Sequence, residues 1–449
     1  MYIRSLGARV RALLALCALG LGLMTAGGAL AVPAFAVQTG EPCQGCHVGG
    51  FGPQLTPFGR AFKISGYTIR TNKFNIPLSA MAVASYVRTQ SAQPGPPPEG
   101  YNTNNNFAVD QVSVFLAGGL GSHLGAFVQT TYDGIAHAFS WDNLDVRATT
   151  QVTVKGAEAT LGLSVNNSPT VQDPFNTLPA WGYPYTASGL APSPAAAPMI
   201  GNLAQSTLGM TASIWLNSEL WVEAGGYESP GSNFLIRAGA DPTDPGNING
   251  VAPYVRIAFQ KNYGGHNFEV GAFGFWPNIY PGHDESTGMT DNYADLGLDG
   301  SFQLFAGHNN TFTVNGRYTH ESQTLNASQA LGAATNLHDT LQDLRLDASY
   351  YWHGKVGATV GVFDTWGSTD PLLYADNSAL QPDSSGMLFQ IDGTPWGDGG
   401  SPLGARFNTR VGLQYTAYFR FDGSSQNYDG FGRSAADNNT FRAFVWVAY

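Results

Sequence analysis

The sequence predicts an all-β protein: an antiparallel transmembrane β-barrel of about 16 strands behind a small N-terminal domain. Three observations carry that expectation. From about Ile76 onward the chain falls into segments of about ten to fourteen residues in which apolar and polar side chains alternate. Short and long connections rich in Gly, Asn, Asp and Pro separate these segments in turn. The last segment puts Phe441, Ala443, Val445, Val447 and Tyr449 on one face and ends the chain on an aromatic.

In chain order, residues 1–36 read as a secretory signal. Arg4, Arg9 and Arg11 form a basic start, an apolar run extends from Ala12 to Leu23, and Ala34-Phe35-Ala36 is a cleavage box. The run is too short to cross a bilayer well. Lipid attachment at Cys17 is disfavoured, because bulky Leu16 precedes it and the apolar run would be cut in half. Removing the signal leaves 18 Lys and Arg against 32 Asp and Glu, a net charge of −14. Such a chain is a poor partner for nucleic acid and attracts cations, whether a metal ion or a basic redox protein. Cys43 and Cys46 are then the remaining cysteines, and no thiol is left for a disulfide.

Residues 37–75 lie outside the barrel pattern and contain Cys43-Gln44-Gly45-Cys46-His47. In a CxxCH box the two-residue spacer holds both sulfurs on one side of a haem, where they bond its vinyl groups. The following histidine lies beneath the iron as proximal ligand. A zinc cage would need a second Cys pair, and a thioredoxin-like dithiol would sit in a βαβ pattern; neither is present in the sequence. One covalent haem c is therefore expected, held by Cys43, Cys46 and His47 in a monohaem cytochrome c-like domain over 37–75. At about forty residues this domain is too small to bury a core alone, so it is expected to plug the barrel lumen and pack on its wall.

For the sixth iron position, Val48 to Ala80 offers neither His nor Met, only Lys63 and Tyr67. Met81 is nearest in sequence. With Leu78, Ala80, Ala82 and Ala84 toward lipid it faces the lumen beside Ser79 and Ser85, as a distal ligand or as a packing residue. His123, His266, His308 and His353 fall at expected periplasmic turns and are the next candidates. His137, His283, His320 and His338 map to the outer end.

The barrel occupies 76–449, with strands expected at 76–89, 106–118, 122–133, 141–153, 156–165, 205–217, 218–228, 251–262, 265–277, 290–304, 308–320, 339–352, 355–366, 386–396, 405–421 and 437–449. An even count returns both termini to the periplasm. The long connections at 166–204, 229–250, 367–385 and 422–436 are then expected to face outward. Asp343, Arg345 and Asp347 share one strand face that hydrocarbon would not accept. The lumen is expected to carry them with Asp145, Arg147, Glu219, Glu223, Arg256, Glu269, Asp295, Asp299, Arg317, Arg410, Arg420 and Arg442. Sixteen strands leave room for an aqueous channel or for a plug. A soluble sandwich also alternates, but the signal, the long strands and the aromatic terminus together favour an outer-membrane barrel in contact with lipid.

Cys43 to His47, followed by Leu55-Thr56-Pro57-Phe58-Gly59-Arg60-Ala61-Phe62-Lys63-Ile64-Ser65-Gly66-Tyr67, resembles the N-terminus of the fused outer-membrane cytochrome–porins of iron-oxidising bacteria. The stretch from Asn166 to Phe175 is similar to a loop of that broader family. The resemblance spans the chain, with its sharp motifs mainly near the N-terminus. It implies that one haem in a plug passes electrons across the outer membrane, from an extracellular donor to a periplasmic cytochrome. In the best-known members the donor is Fe(II). The competing expectation, from a different class, is a diffusion porin whose haem plug gates the pore or senses redox state. No convergent Glu/His cluster marks an iron site in the sequence.

Overall fold

The computed structural model describes residues 33–71, 77–307, 309–404 and 407–449. Cys17, His308 and most of the expected signal lie outside them. The strands are β1 Leu78–Thr89, β2 Asn106–Gly119, β3 Leu124–Asp133, β4 Ala138–Val154, β5 Ala157–Asn166, β6 Leu208–Leu216, β7 Leu220–Glu228, β8 Gly246–Ile248, β9 Ala252–Tyr263, β10 His266–Phe275, β11 Asn278–Pro281, β12 Asp291–Ala306, β13 Asn310–Thr324, β14 His338–Trp352, β15 Val356–Gly367, β16 Ser384–Gly393, β17 Asn408–Arg420 and β18 Thr440–Ala448. β8 and β11 are short and pair with each other above the wall. Among the described residues the other sixteen form one antiparallel ring, which β1 and β18 close in the register Met81↔Ala448 to Thr89↔Thr440. Ala80 and Tyr449 exchange two backbone hydrogen bonds of 2.9 Å at the seam.

Each expected strand has its counterpart. The eleventh runs four residues further than expected, to Thr324, and the fourteenth ends at Gly393 rather than continuing through Pro395, since proline has no N–H for the ladder. The alternation divides the faces as expected. On β12, Leu296 and Leu298 are exposed on the outside, whereas Asp295, Asp299, Ser301 and Gln303 are buried on the inside. A band of apolar side chains around a closed ladder leaves no backbone group unpaired in hydrocarbon.

The tight turns at 155–156, 264–265 and 353–355 lie at one end of the barrel, together with the start of β1 and the C-terminus. The long connections lie at the other. The connection expected over 166–204 to face outward instead folds into the lumen. There Val171, Asp173, Phe175, Leu178, Ile200 and Leu203 are fully buried. Asp173 pairs with Arg256 at 3.3 Å. The Met199 and Ile200 N–H groups donate to Glu321 and Asp295 at 2.6 and 2.7 Å. Leu178, Met199, Ile200 and Leu203 pack on Tyr227, Tyr254, Phe273 and Phe275 in the largest apolar cluster. Apolar burial inside the ring thus outweighs solvation at its mouth.

Candidate cofactor site in the barrel lumen

Residues 33–71 lie inside the ring. Cys43–Cys46 forms a single helical turn whose end is marked by the His47 N–H donating to the Cys43 carbonyl at 2.8 Å. Residues three apart share a helix face, and both cysteines are free thiols at one cavity. The Gln44 N–H donates to the Gly397 carbonyl, and Asn408 Nδ2 donates to the Gly50 carbonyl, both at 2.9 Å. These contacts seat the box at the tight-turn end.

The helix Pro57–Ile64 follows, with Pro57 in its first turn and Thr56 as N-cap, accepting from the Gly59 N–H at 3.2 Å. Thr56 Oγ1 also donates to the Gly45 carbonyl at 2.6 Å. A Cβ at Gly59 would run into the Cys46 carbonyl, so glycine is what lets this helix lie against the box. The helix directs two cations into the wall. Arg60 donates from Nη1 to Gln260 and Asn267 at 3.1 and 2.8 Å, and from Nη2 to Ser301 at 2.8 Å. Lys63 points toward the inward loop. Tyr67 then donates its hydroxyl to Asp145.

A cavity of about 290 Å³ begins at Cys43, Cys46 and His47. It continues past Phe51, Met81 and Trp446 to Trp181 and Tyr185 of the inward loop and to Gln129 and Asp142 of the wall. Burial lowers the His47 pKa to about 4, so its imidazole is neutral and keeps a lone pair. Its Nδ1 is buried without a hydrogen-bond partner among the described residues. Burial raises the Cys43 pKa, and raises that of Cys46 to about 12; both remain protonated thiols. Two thiols on one turn, a neutral histidine after them and an apolar cavity alongside fit the donor set that a haem c requires.

Met81 faces the lumen as its alternation predicts and lines the same cavity. Its sulfur accepts a hydrogen bond from Trp446 Nε1 at 3.1 Å. His123, His266 and His353 are exposed at turns and do not line the cavity. Among the described residues no group of three or more His, Cys, Asp or Glu is placed to hold a metal ion. The ion-paired wall exists in large part: Arg256 reaches Asp299 and Glu269, Arg410 reaches Asp392, and Arg442 reaches Asp110. Glu219 is a correction. It has the parity of lumen-facing Glu223, but β7 begins only at Leu220, so Glu219 lies in the turn and pairs with Lys261 at 2.8 Å on the exposed surface.

Two groups of site residues escaped the sequence reading. Asn176, Trp181 and Tyr185 lie on a connection with no periodicity, and their only signal was an unusual apolar content for an exterior loop. Phe35 stacks on Tyr67 with ring centroids 5.4 Å apart, meets Phe62 edge-on at 4.9 Å, and lines the cavity. Cleavage after Ala36 would remove it and widen the space beside Cys43.

No family model and no curated protein matches this chain. Solved structures do. OprB of Pseudomonas putida aligns over 83% of this chain and 94% of its own, at 13% identity and a TM-score of 0.53. OmpF of Salmonella typhi aligns over 84% and 99%, at 12% identity and 0.46. An anion-selective porin from Comamonas acidovorans aligns over 83% and 98%, at 12% identity and 0.43. The likeness to OprB shows the fold alone: this chain has the closed antiparallel barrel of porins.

Proposed function

We propose that this chain is an outer-membrane electron conduit: a porin-like barrel carrying one haem c, with Cys43 and Cys46 as its thioether residues and His47 as proximal ligand. Such a group supplies a one-electron couple at its iron. The observation that carries the reading is the position of the CxxCH box inside the barrel, with a buried neutral histidine, at the end of a cavity that runs on along the lumen.

The residues around the box bind, orient and exclude water. The turn Cys43–Cys46 aims both thiols at one space, Thr56 ties the following helix to it, and Phe51, tilted against Trp446 with ring centroids 4.6 Å apart, closes the apolar side. Met81 is the candidate for the distal position, where a thioether raises the potential relative to a second histidine. In outer-membrane barrels the short turns face the periplasm. The box then opens toward a periplasmic cytochrome as acceptor, and both termini are periplasmic. Extracellular Fe(II) is the donor that the N-terminal resemblance implies. Stopped-flow mixing of Fe(II) with the purified, detergent-held protein tests this reading. Rapid reduction of a covalently bound haem supports it, and a protein without haem absorbance refutes it.

The porin-like fold also suits the second reading, a diffusion pore gated by its plug. The inward loop and the plug are joined by Asn176 Nδ2, which donates to the Pro53 carbonyl at 2.7 Å, and both are bonded to the wall; this favours a sealed lumen. A large steady conductance of the haem-loaded protein in planar bilayers would favour the pore.

A further inference from the structure

Lys63 is a cation buried at the cavity wall, without an ion-pair partner among the described residues. Its ammonium donates to the Val171 carbonyl and to Asn176 Oδ1, each at 2.8 Å, and stands 4.6 Å from the centre of the Trp181 ring. Lys63, Asn176 and Trp181 line the same cavity as Cys43, Cys46 and His47. An ammonium has three donors. Two are spent on neutral oxygens, which leaves one N–H not given to an oxygen.

The acids around it are already committed. Asp145 binds Arg147 at 2.8 Å and accepts the Tyr67 hydroxyl. Asp173 binds Arg256 and accepts the N–H groups of Phe175 and Thr177. Asp142, on the cavity wall, accepts from Thr131 and Gln205, and buried Glu223 accepts from Thr211 and Trp221, so both are held by neutral donors. Arg60 also lacks an acid partner, but it lies away from the cavity and donates to three side-chain oxygens. A buried charge is costly unless it is paired. Lys63 is thus the cation at this cavity that waits for an anion, and Thr56 and Gly59 hold its helix rigidly to the haem box.

We propose that Lys63 binds a carboxylate of the cofactor, one of the two propionates of the haem attached at Cys43 and Cys46. The assignment rests on the haem reading above. A fixed positive charge beside a propionate disfavours the ferric iron, so the pair raises the reduction potential.

The test uses the full-length chain with Lys63→Met and Lys63→Arg, each in the haem-loaded protein and in a Cys43→Ala/Cys46→Ala background that carries no haem. Covalent haem is read by haem staining, the midpoint potential by spectroelectrochemistry, and stability by thermal unfolding in detergent. Lys63→Met is expected to keep the haem-stained band, lower the midpoint potential, and lower the unfolding midpoint more in the loaded than in the haem-free protein. Lys63→Arg is expected to restore the potential. An unchanged potential, or equal loss of stability in both backgrounds, would overturn the proposal in favour of a structural role. Lys63-dependent stabilisation of the loaded protein by inorganic phosphate would assign the cation to a soluble anion and overturn it as well. Absence of any haem band in the unmutated chain would instead refute the haem reading itself.

Discussion

Arg60→Ala should release the plug while leaving the barrel intact. The Arg60 guanidinium is buried and makes three hydrogen bonds, to Gln260, Asn267 and Ser301 on the wall, and it lies 5.7 Å from the Phe175 ring of the inward loop. Hydrogen bonds from a charged donor are worth about 1.5–3 kcal/mol each. Desolvation of an unpaired cation offsets part of that sum, while truncation leaves the wall acceptors unpaired in a void. A net loss of ~4 kcal/mol in plug docking follows, or roughly a thousandfold in its equilibrium. The barrel ladder closes without the plug, so the loss falls on the plug alone. Trypsin reads the released population at Lys63, which is buried while the plug is docked. The folded barrel is followed in parallel by its resistance to SDS at room temperature. Cleavage should accelerate by two to three orders of magnitude with the barrel still resistant, and Arg60→Lys, which keeps charge but loses the planar fork, should fall between. Unchanged cleavage in Arg60→Ala would refute the view that this side chain anchors the plug.

Cys43→Ala with Cys46→Ala is expected to abolish the haem-stained band on denaturing gels while the barrel still assembles. A band of normal intensity would disprove thioether attachment. Replacing Tyr449 with Asp, or deleting it, should reduce outer-membrane yield far more than the same change at Asp429, since Tyr449 ends the apolar face of the last strand and its deletion also removes two backbone bonds to Ala80; equal yields would show that the terminal strand tolerates its loss. Met81→Ala should turn a low-spin haem spectrum high-spin and lower the potential, whereas an unchanged low-spin spectrum would leave Met81 as the acceptor for Trp446 and nothing more. In the haem-free protein, burial and nearby Arg147 lower the Lys63 pKa from 10.5 to about 7. The folded state therefore binds fewer protons than the unfolded state between these values. Plug stability should rise as pH increases from about 7 toward 10.5, and Lys63→Met should flatten that rise.

Period-two alternation was enough to place all sixteen long strands, because a wall with lipid on one side and a polar lumen on the other demands opposite chemistry at successive residues. The same rule aimed Met81, Asp295 and Arg256 inward. CxxCH was legible because it is a fixed local spacing of two cysteines and a histidine. What the alternation could not convey was the course of the segment from 167 to 207. Its residues Asp173, Leu178, Ile200 and Trp181 have no period, and their inward fold depends on Arg256, Asp295, Glu321 and the cluster around Tyr254, which lie far along the chain.

The histidines make the same point from the other side. His123 and His353 sit in the expected turns and His266 opens β10 beside another, yet all three are exposed and none lines the cavity. By itself the sequence determined the barrel, its strands and the two thiols with their histidine, since these follow from local spacing along the chain. The ring alone decided that Lys63 is buried beside that box with Asp145 and Asp173 already paired to arginines and Asp142 and Glu223 held by neutral donors. Pairing of charges depends on which distant strands meet, and that is a property of closure that no local pattern encodes.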